Sequence, residues 1–164
     1  MVDKHVFIIR HAKSSWSDPL TTDHDRPLDD RGLHDAPKMA DLLKRTGYTI
    51  DKIVSSSANR ARTTAGFFAE VNGQEVTLER SLYHGDPEDY LEMLSLQDDS
   101  IHNPAFFGHN PGITHIANIV SNDFIDNIPT CGILVCSVKD GVKWSDIQWG
   151  DLILKHIFTP KQNK

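Results

Sequence analysis

Cysteine is scarce: Cys131 and Cys136 are the only two, close together in an alternating apolar stretch. That pattern reads as buried, reduced side chains rather than a disulfide framework or a zinc site. Long apolar runs are missing as well. Phe7-Ile8-Ile9 and Ile133-Leu134-Val135-Cys136 fall far short of the roughly 18 residues that span a bilayer, so no membrane segment is expected. Residues 1–5 lead straight into an apolar, strand-like segment without a basic region or a small-residue cleavage site. No secretory signal is read there, and a cytoplasmic location is the expectation. Dense Lys/Arg runs are also absent and the formal net charge is -6. The counter-ion release that drives nucleic-acid binding therefore has no footprint, and nucleic acid is not an expected partner.

What is present fits a globular protein. A length of 164 residues with 38% hydrophobic and 24% charged side chains suits one domain over residues 1–164 with its own core, and excludes disordered, collagenous and coiled-coil classes. The overall negative charge hides a local feature. Arg10, Lys13, Arg26, Arg31, Arg60 and Arg62 lie near Ser, Gly, His or Asn in the first part of the chain, a composition suited to a small anion.

Periodicity orders the chain as alternating strands and helices. Residues 6–9 are apolar throughout, as in a central strand covered on both faces. Residues 12–31 lack periodicity and read as a long loop, which in a compact domain is usually functional. Helical spacing follows over 29–45, with Gly47 as its C-terminal cap and Pro37 predicting a kink or a second segment. Residues 51–54 read as a strand and 58–70 as a helix ended by Asn72-Gly73. A strand over 76–82 and a helix from an Asp86 cap to about residue 96 come next. The pattern continues with a strand at 105–107, a helix through Ile113 and Val120, and strands at 133–138, 144–148 and 151–158 around the Asp140-Gly141 turn. The fold class is α/β, layered, with a largely parallel sheet carrying an antiparallel strand near the end.

Three polar clusters share one position, each just after an apolar strand: Arg10-His11, residues 55–60, and Gly108-His109-Asn110. Open α/β sheets build ligand sites at the carboxyl ends of their strands, so the three can converge. The residues Arg10-His11-Ala12-Lys13-Ser14-Ser15-Trp16, Asp25-Arg26-Pro27-Leu28 with Arg31-Gly32, Ser56-Ser57-Ala58-Asn59-Arg60-Ala61-Arg62-Thr63-Thr64-Ala65, and Gly108-His109-Asn110-Pro111-Gly112, taken in that order, resemble the histidine phosphatase superfamily. Within it they are most similar to the SixA-type phosphohistidine phosphatases.

The resemblance implies a three-layer α/β/α fold of the phosphoglycerate mutase type. It implies that His11 is the nucleophile, that Arg10 and Arg60 hold the phosphoryl group, and that His109 completes the pocket. A neutral imidazole is a competent phosphoryl acceptor near neutral pH, and guanidinium forks suit the equatorial oxygens of the transferring group. His109, cationic or donating, adds a hydrogen bond, and Ser17 and Asn110 are further candidates for phosphoryl binding. The mechanism implied is a double displacement through a phosphohistidine on His11, with no metal and no cofactor. No His-x-x-x-His pair or carboxylate set accompanies His11 or His109, so a metal protein is not the reading. Arg62 reads as solvated charge, and Arg26 and Arg31 stay unassigned.

Phosphate-ester hydrolases of this family carry a carboxylate after the third strand as general acid. Here His84 occupies that position, with Glu79 and Asp86 off the motif. An imidazole leaving group needs less proton help, which favours protein phosphohistidine as substrate, and so does the lack of a large insertion that could close over a metabolite. Trp16, Trp144 and Trp149 read as core side chains rather than a docking surface. Two alternatives stay open: a phosphatase or mutase for small phosphorylated metabolites, and a noncatalytic phosphoryl-binding module.

Overall fold

The apolar run at residues 6–9 becomes the middle of β1 (His5–Arg10). Its side chains alternate, Phe7 and Ile9 entering one core and Val6 and Ile8 another, which is why all four positions are apolar. In the computed structural model, which describes residues 3–162, five more strands join it: β2 (Lys52–Ser55), β3 (Val76–Leu78), β4 (Pro104–Gly108), β5 (Ile133–Val138) and β6 (Leu152–Phe158). The order across the sheet is β3-β2-β4-β1-β5-β6. Strands β3, β2, β4 and β1 pair in parallel, while β5 is antiparallel to both its neighbours and so runs against the other five.

Helices cover both faces. Met39 and Leu43 of α1 (Asp30–Arg45) and Phe68 of α2 (Asn59–Asn72) pack on the side of Phe7 and Phe107. Tyr90 and Leu94 of α3 (Pro87–Ser95) and Ile113 and Ile116 of α4 (Gly112–Val120) pack on the side of Ile8 and Phe106. The layers are therefore α/β/α, as expected. Both cysteines are buried and free, and burial pushes the Cys136 thiol up to about 12. No helix among the described residues is long and apolar enough to cross a membrane.

Helix α1 runs through Pro37 as one element with Ala36, Met39, Ala40 and Leu43 buried, so of the two outcomes expected at Pro37 the second segment does not occur. Two further local expectations differ from the structure. The strand expected over 76–82 stops at Leu78, and a 3-10 turn at Arg80–Leu82 follows; the turn carries Leu82 into the core, where it is wholly buried. Residues 144–148 form no strand but a 3-10 turn at Trp144–Asp146. Trp144 is fully buried, with its indole N–H donating to the Ile101 carbonyl at 2.6 Å, and Ile147 is buried beside it. Trp144 and Ile147, three residues apart, share one side of a 3-10 turn but would face opposite sides of a strand.

Candidate active site

The parallel strands bring the three polar clusters to one edge of the sheet. Arg10 is in register with Gly108, and Ser55 with Phe107. Just past the strands the chains stay tied, the His11 N–H donating to Gly108 O at 3.0 Å and the Ser56 N–H to Phe107 O at 2.8 Å. Gly108 leaves room for Tyr90, because a Cβ there would lie 1.8 Å from the Tyr90 hydroxyl oxygen. At this edge opens a cavity of about 370 Å³. Arg10, His11, Arg60, His84, His109 and Asn110 all line it, together with Lys13, Ser14, Trp16, Asp23, Arg26 and Thr130.

Ser17 is not brought in. Its hydroxyl pairs with that of Ser15 at 2.8 Å on the exposed loop, and Ser14 lines the cavity instead. Trp16 is a second departure: it is 75% exposed, with the Arg26 guanidinium carbon 3.2 Å from its ring centroid. Trp144 and the partly buried Trp149 pack in the core as expected.

His11 is buried, and its Nδ1 lies 2.6 Å from the Ala12 carbonyl oxygen. A carbonyl only accepts, so Nδ1 carries the proton and the lone pair sits on Nε2. Burial is the main cause that lowers its pKa to about 3, with Arg60, Arg10 and Arg26 adding to the effect against the pull of the Ala12 carbonyl. The ring is therefore neutral at ordinary pH, with its lone pair on Nε2. Ala12 is fixed in turn: its N–H donates to Thr64 Oγ1 at 2.9 Å, and that hydroxyl donates to Arg60 O at 2.8 Å.

The His109 ring lies 5.1 Å from that of His11, centroid to centroid, and its Nε2 is 2.8 Å from Ser56 Oγ. Burial first, then His11 and Arg60, lower its pKa to about 2, so it too is neutral. Among the described residues, His109 Nδ1 and Arg10 Nε are buried side-chain nitrogens with no hydrogen-bond partner. Buried polar atoms are rarely left so, and both belong to residues that line the cavity.

The arginines are held apart from one another by fixed partners. Arg10 donates from one terminal nitrogen to Ile128 O at 2.9 Å. Arg60 donates to the Asp23 carbonyl at 2.6 Å and to its carboxylate at 3.2 Å. Arg26 reaches the same carboxylate at 3.0 Å, the Ser15 carbonyl at 3.0 Å, and the Ser14 hydroxyl. The Tyr83 hydroxyl, donating at 2.5 Å, is the largest influence holding Asp23 well below the usual carboxylate range, and Arg26 and Arg60 add to it. Asn110 lines the cavity through a rigid mount, donating to Ile128 O at 3.0 Å and accepting from the Thr114 N–H at 3.0 Å.

Sequence reasoning left Arg26 unassigned and missed Asp23, Ser56 and Thr64 as contributors. Arg26, Ser56 and Thr64 stood within the family-like motifs, whereas Asp23 is one of several acids in an aperiodic loop and carried no signal. Arg31 pairs with Asp35 at 3.5 Å, and Arg62 is exposed. Glu79 caps the 3-10 turn at Arg80–Leu82, and Asp86 caps α3 in a capping box with Asp89. Among the described residues no three His, Cys, Asp or Glu side chains are grouped to hold a metal ion.

The two neutral histidines make a prediction about stability. Between about pH 6.5 and pH 3 the unfolded chain protonates both rings, which burial keeps neutral in the folded state. Stability is then lost as pH falls through that window, at about 1.4 kcal/mol per pH unit for each ring. Thermal melts from pH 7 to pH 4 are expected to fall steeply for the wild type and less steeply for His11→Ala/His109→Ala. Parallel profiles would refute neutral burial of the pair.

The model of the histidine phosphatase superfamily (branch 1) matches residues 6–102, a span that includes Arg10, His11, Arg60 and His84. The chain belongs to the histidine phosphatase superfamily, branch 1. That membership places it among the hydrolases, and the fold adds His109 from just beyond the matched span. An uncharacterized chloroplastic protein of Arabidopsis thaliana is 32% identical over 141 residues, or 79% of this chain; the chain spans 64% of that relative. A protein assigned as the phosphohistidine phosphatase SixA of Nakamurella multipartitia superposes with a TM-score of 0.85 at 20% identity, over 98% of each chain. One assigned likewise from Agrobacterium tumefaciens gives 0.79 at 26% identity, over 96% of this chain and 98% of the other. A mycobacterial glucosyl-3-phosphoglycerate phosphatase is less similar, at 0.67 and 14% over 94% of this chain and 97% of that one.

Proposed function

We propose that this histidine phosphatase hydrolyses phosphoryl groups without a metal, with protein phosphohistidine as its substrate class. One observation carries the reading: a neutral His11 whose Nδ1–H is spent on Ala12 O at 2.6 Å, leaving the Nε2 lone pair in a cavity that Arg10, Arg26 and Arg60 also line. In the first step Nε2 attacks phosphorus and an N–P bond forms as the bond to the leaving group breaks. Water then attacks the phosphohistidine, the N–P bond breaks, and inorganic phosphate leaves. The guanidinium groups and the His109 ring offset charge on the equatorial oxygens, which is most of what such transfer requires.

The substrate class follows from what can donate a proton. Among the described residues Asp23 is the only carboxylate lining the cavity, and its partners keep it ionised, so none of them offers a carboxylic acid to protonate an alkoxide. A departing imidazole is far less basic than an alkoxide and needs less help. The likeness to SixA proteins supports the same choice.

A second reading rests on His84. It lines the cavity with φ of 61°, a conformation that costs a non-glycine residue and that clusters at functional sites. From there it could protonate an ester oxygen. The expected result is that wild type releases phosphate from a histidine-phosphorylated carrier protein far faster than from an aryl or a sugar phosphate, with chelator present. His84→Ala is expected to lower ester turnover about tenfold while phosphohistidine turnover stays within about twofold. Faster ester turnover in wild type would move the assignment to small phosphorylated metabolites.

A further inference from the structure

Ser56 is wholly buried beyond the end of β2 and lies outside the cavity lining. Its hydroxyl oxygen accepts the Ala58 N–H at 3.2 Å and lies 2.8 Å from His109 Nε2. A serine hydroxyl has one hydrogen. With Ala58 donating into the oxygen, that hydrogen has one acceptor on the page, His109 Nε2. Were Nε2 to carry the ring proton instead, the Ser56 hydrogen would be stranded in the core and His109 Nδ1 would bear a lone pair, which repels a phosphoryl oxygen. Leaving a buried donor unmade is costly.

We propose that Ser56 is a positioning residue that donates to His109 Nε2 and so places the ring proton on Nδ1, making His109 a neutral hydrogen-bond donor to the transferring phosphoryl group. Three observations converge on this. His109 Nδ1 is a buried nitrogen without a protein partner, and His109 lines the cavity. Ser56 is itself locked, its N–H on Phe107 O at 2.8 Å and its carbonyl accepting the Ser55 hydroxyl at 2.9 Å. Burial keeps the ring neutral, so its tautomer rather than its charge decides what it offers. The arrangement complements His11: there the backbone carbonyl takes Nδ1–H and frees a lone pair at Nε2, and here the serine takes the Nε2 lone pair and frees a donor at Nδ1. The groups facing His109 are His11, His84, Arg60 and Asp23, with the Tyr83 ring 5.6 Å away.

The role in phosphoryl transfer rests on the phosphatase reading, but the tautomer does not. Long-range ¹H–¹⁵N correlation on the full chain with ¹⁵N-labelled histidine at pH 7, assigned by His109→Gln, reads the tautomer directly. Wild type is expected to show Nδ1–H at His109, and Ser56→Ala to shift the ring towards Nε2–H. Ser56→Thr, which keeps the hydroxyl, should restore the wild-type signal. In kinetics Ser56→Ala should lower kcat about 10- to 100-fold with KM within about twofold, and weaken inhibition by inorganic vanadate about tenfold. An Nε2–H signal in wild type, or a signal unmoved in a folded Ser56→Ala, overturns the proposal. The expected tautomers in a protein that releases no phosphate would uphold the Ser56 hydrogen bond and sink the phosphatase reading, so the two failures are distinguishable.

Discussion

His11→Ala is expected to lower phosphate release by about 10⁴-fold or more, because on the proposed double displacement it removes the atom that forms the covalent intermediate rather than one of several groups that bind it. The size follows from what remains. On that mechanism Arg10, Arg60 and His109 would still gather a phosphoryl group, yet water has no base poised to activate it, since the Nε2 lone pair of His109 is engaged by Ser56. A wild-type enzyme quenched in alkali during turnover of a ³²P-labelled phosphohistidine carrier should retain label on protein, and that label should be acid-labile. His11→Ala should retain none. The variant must keep the pocket for the comparison to count, and the tie between β1 and β4 is made by backbone groups, the residue-11 N–H to Gly108 O at 3.0 Å, which alanine preserves. A folded His11→Ala that kept more than about a tenth of the activity would place the nucleophile elsewhere.

How much of this the sequence carried can be judged element by element. β1 was legible because burial on both faces forces apolar residues at 6–9 without a break, and α3 because Asp86-Pro87 states a cap and a first turn. Pro37 begins no second segment, because the buried stripe of α1 is decided by packing along the whole helix. Residues 144–148 hold a 3-10 turn anchored by the buried Trp144 and Ile147, a three-residue spacing that the strand reading did not weigh.

The site divides along the same line. Residues at strand ends, Arg10, His11, His109 and Asn110, were legible because strand topology alone gathers them. The loop over residues 12–29 could not be placed from sequence, since it is fastened by scattered contacts: His24 O accepting the Asn59 N–H at 2.9 Å, and the Ser14–Leu28 bridge. That is why Asp23 and Arg26 escaped. The loop was read as functional from its length, and what it brings to the cavity is a carboxylate that holds two of the arginines lining it.

Arg60 tests that clamp. Arg60→Ala is expected to cost about 10³-fold in kcat/KM, the scale on which a guanidinium supplied to a phosphoryl-transfer transition state acts. Arg60 is buried at the start of α2, with side-chain donors fixed on Asp23, so its orientation is set before substrate arrives and little ordering remains to be done. Arg60→Lys should recover no more than about a tenth of the activity, because an ammonium cannot span two oxygens as a planar fork does. Asp23→Asn removes the negative charge and leaves one amide oxygen where Arg26 and Arg60 each take a carboxylate oxygen, so one arginine loses a fixed partner and turnover should slow about tenfold. Steady-state phosphate release on the three variants, with thermal melts to confirm folding, reads all of this. Full activity in Arg60→Lys would show that only charge is needed at this position, and the built geometry of the arginine clamp would then have no catalytic meaning.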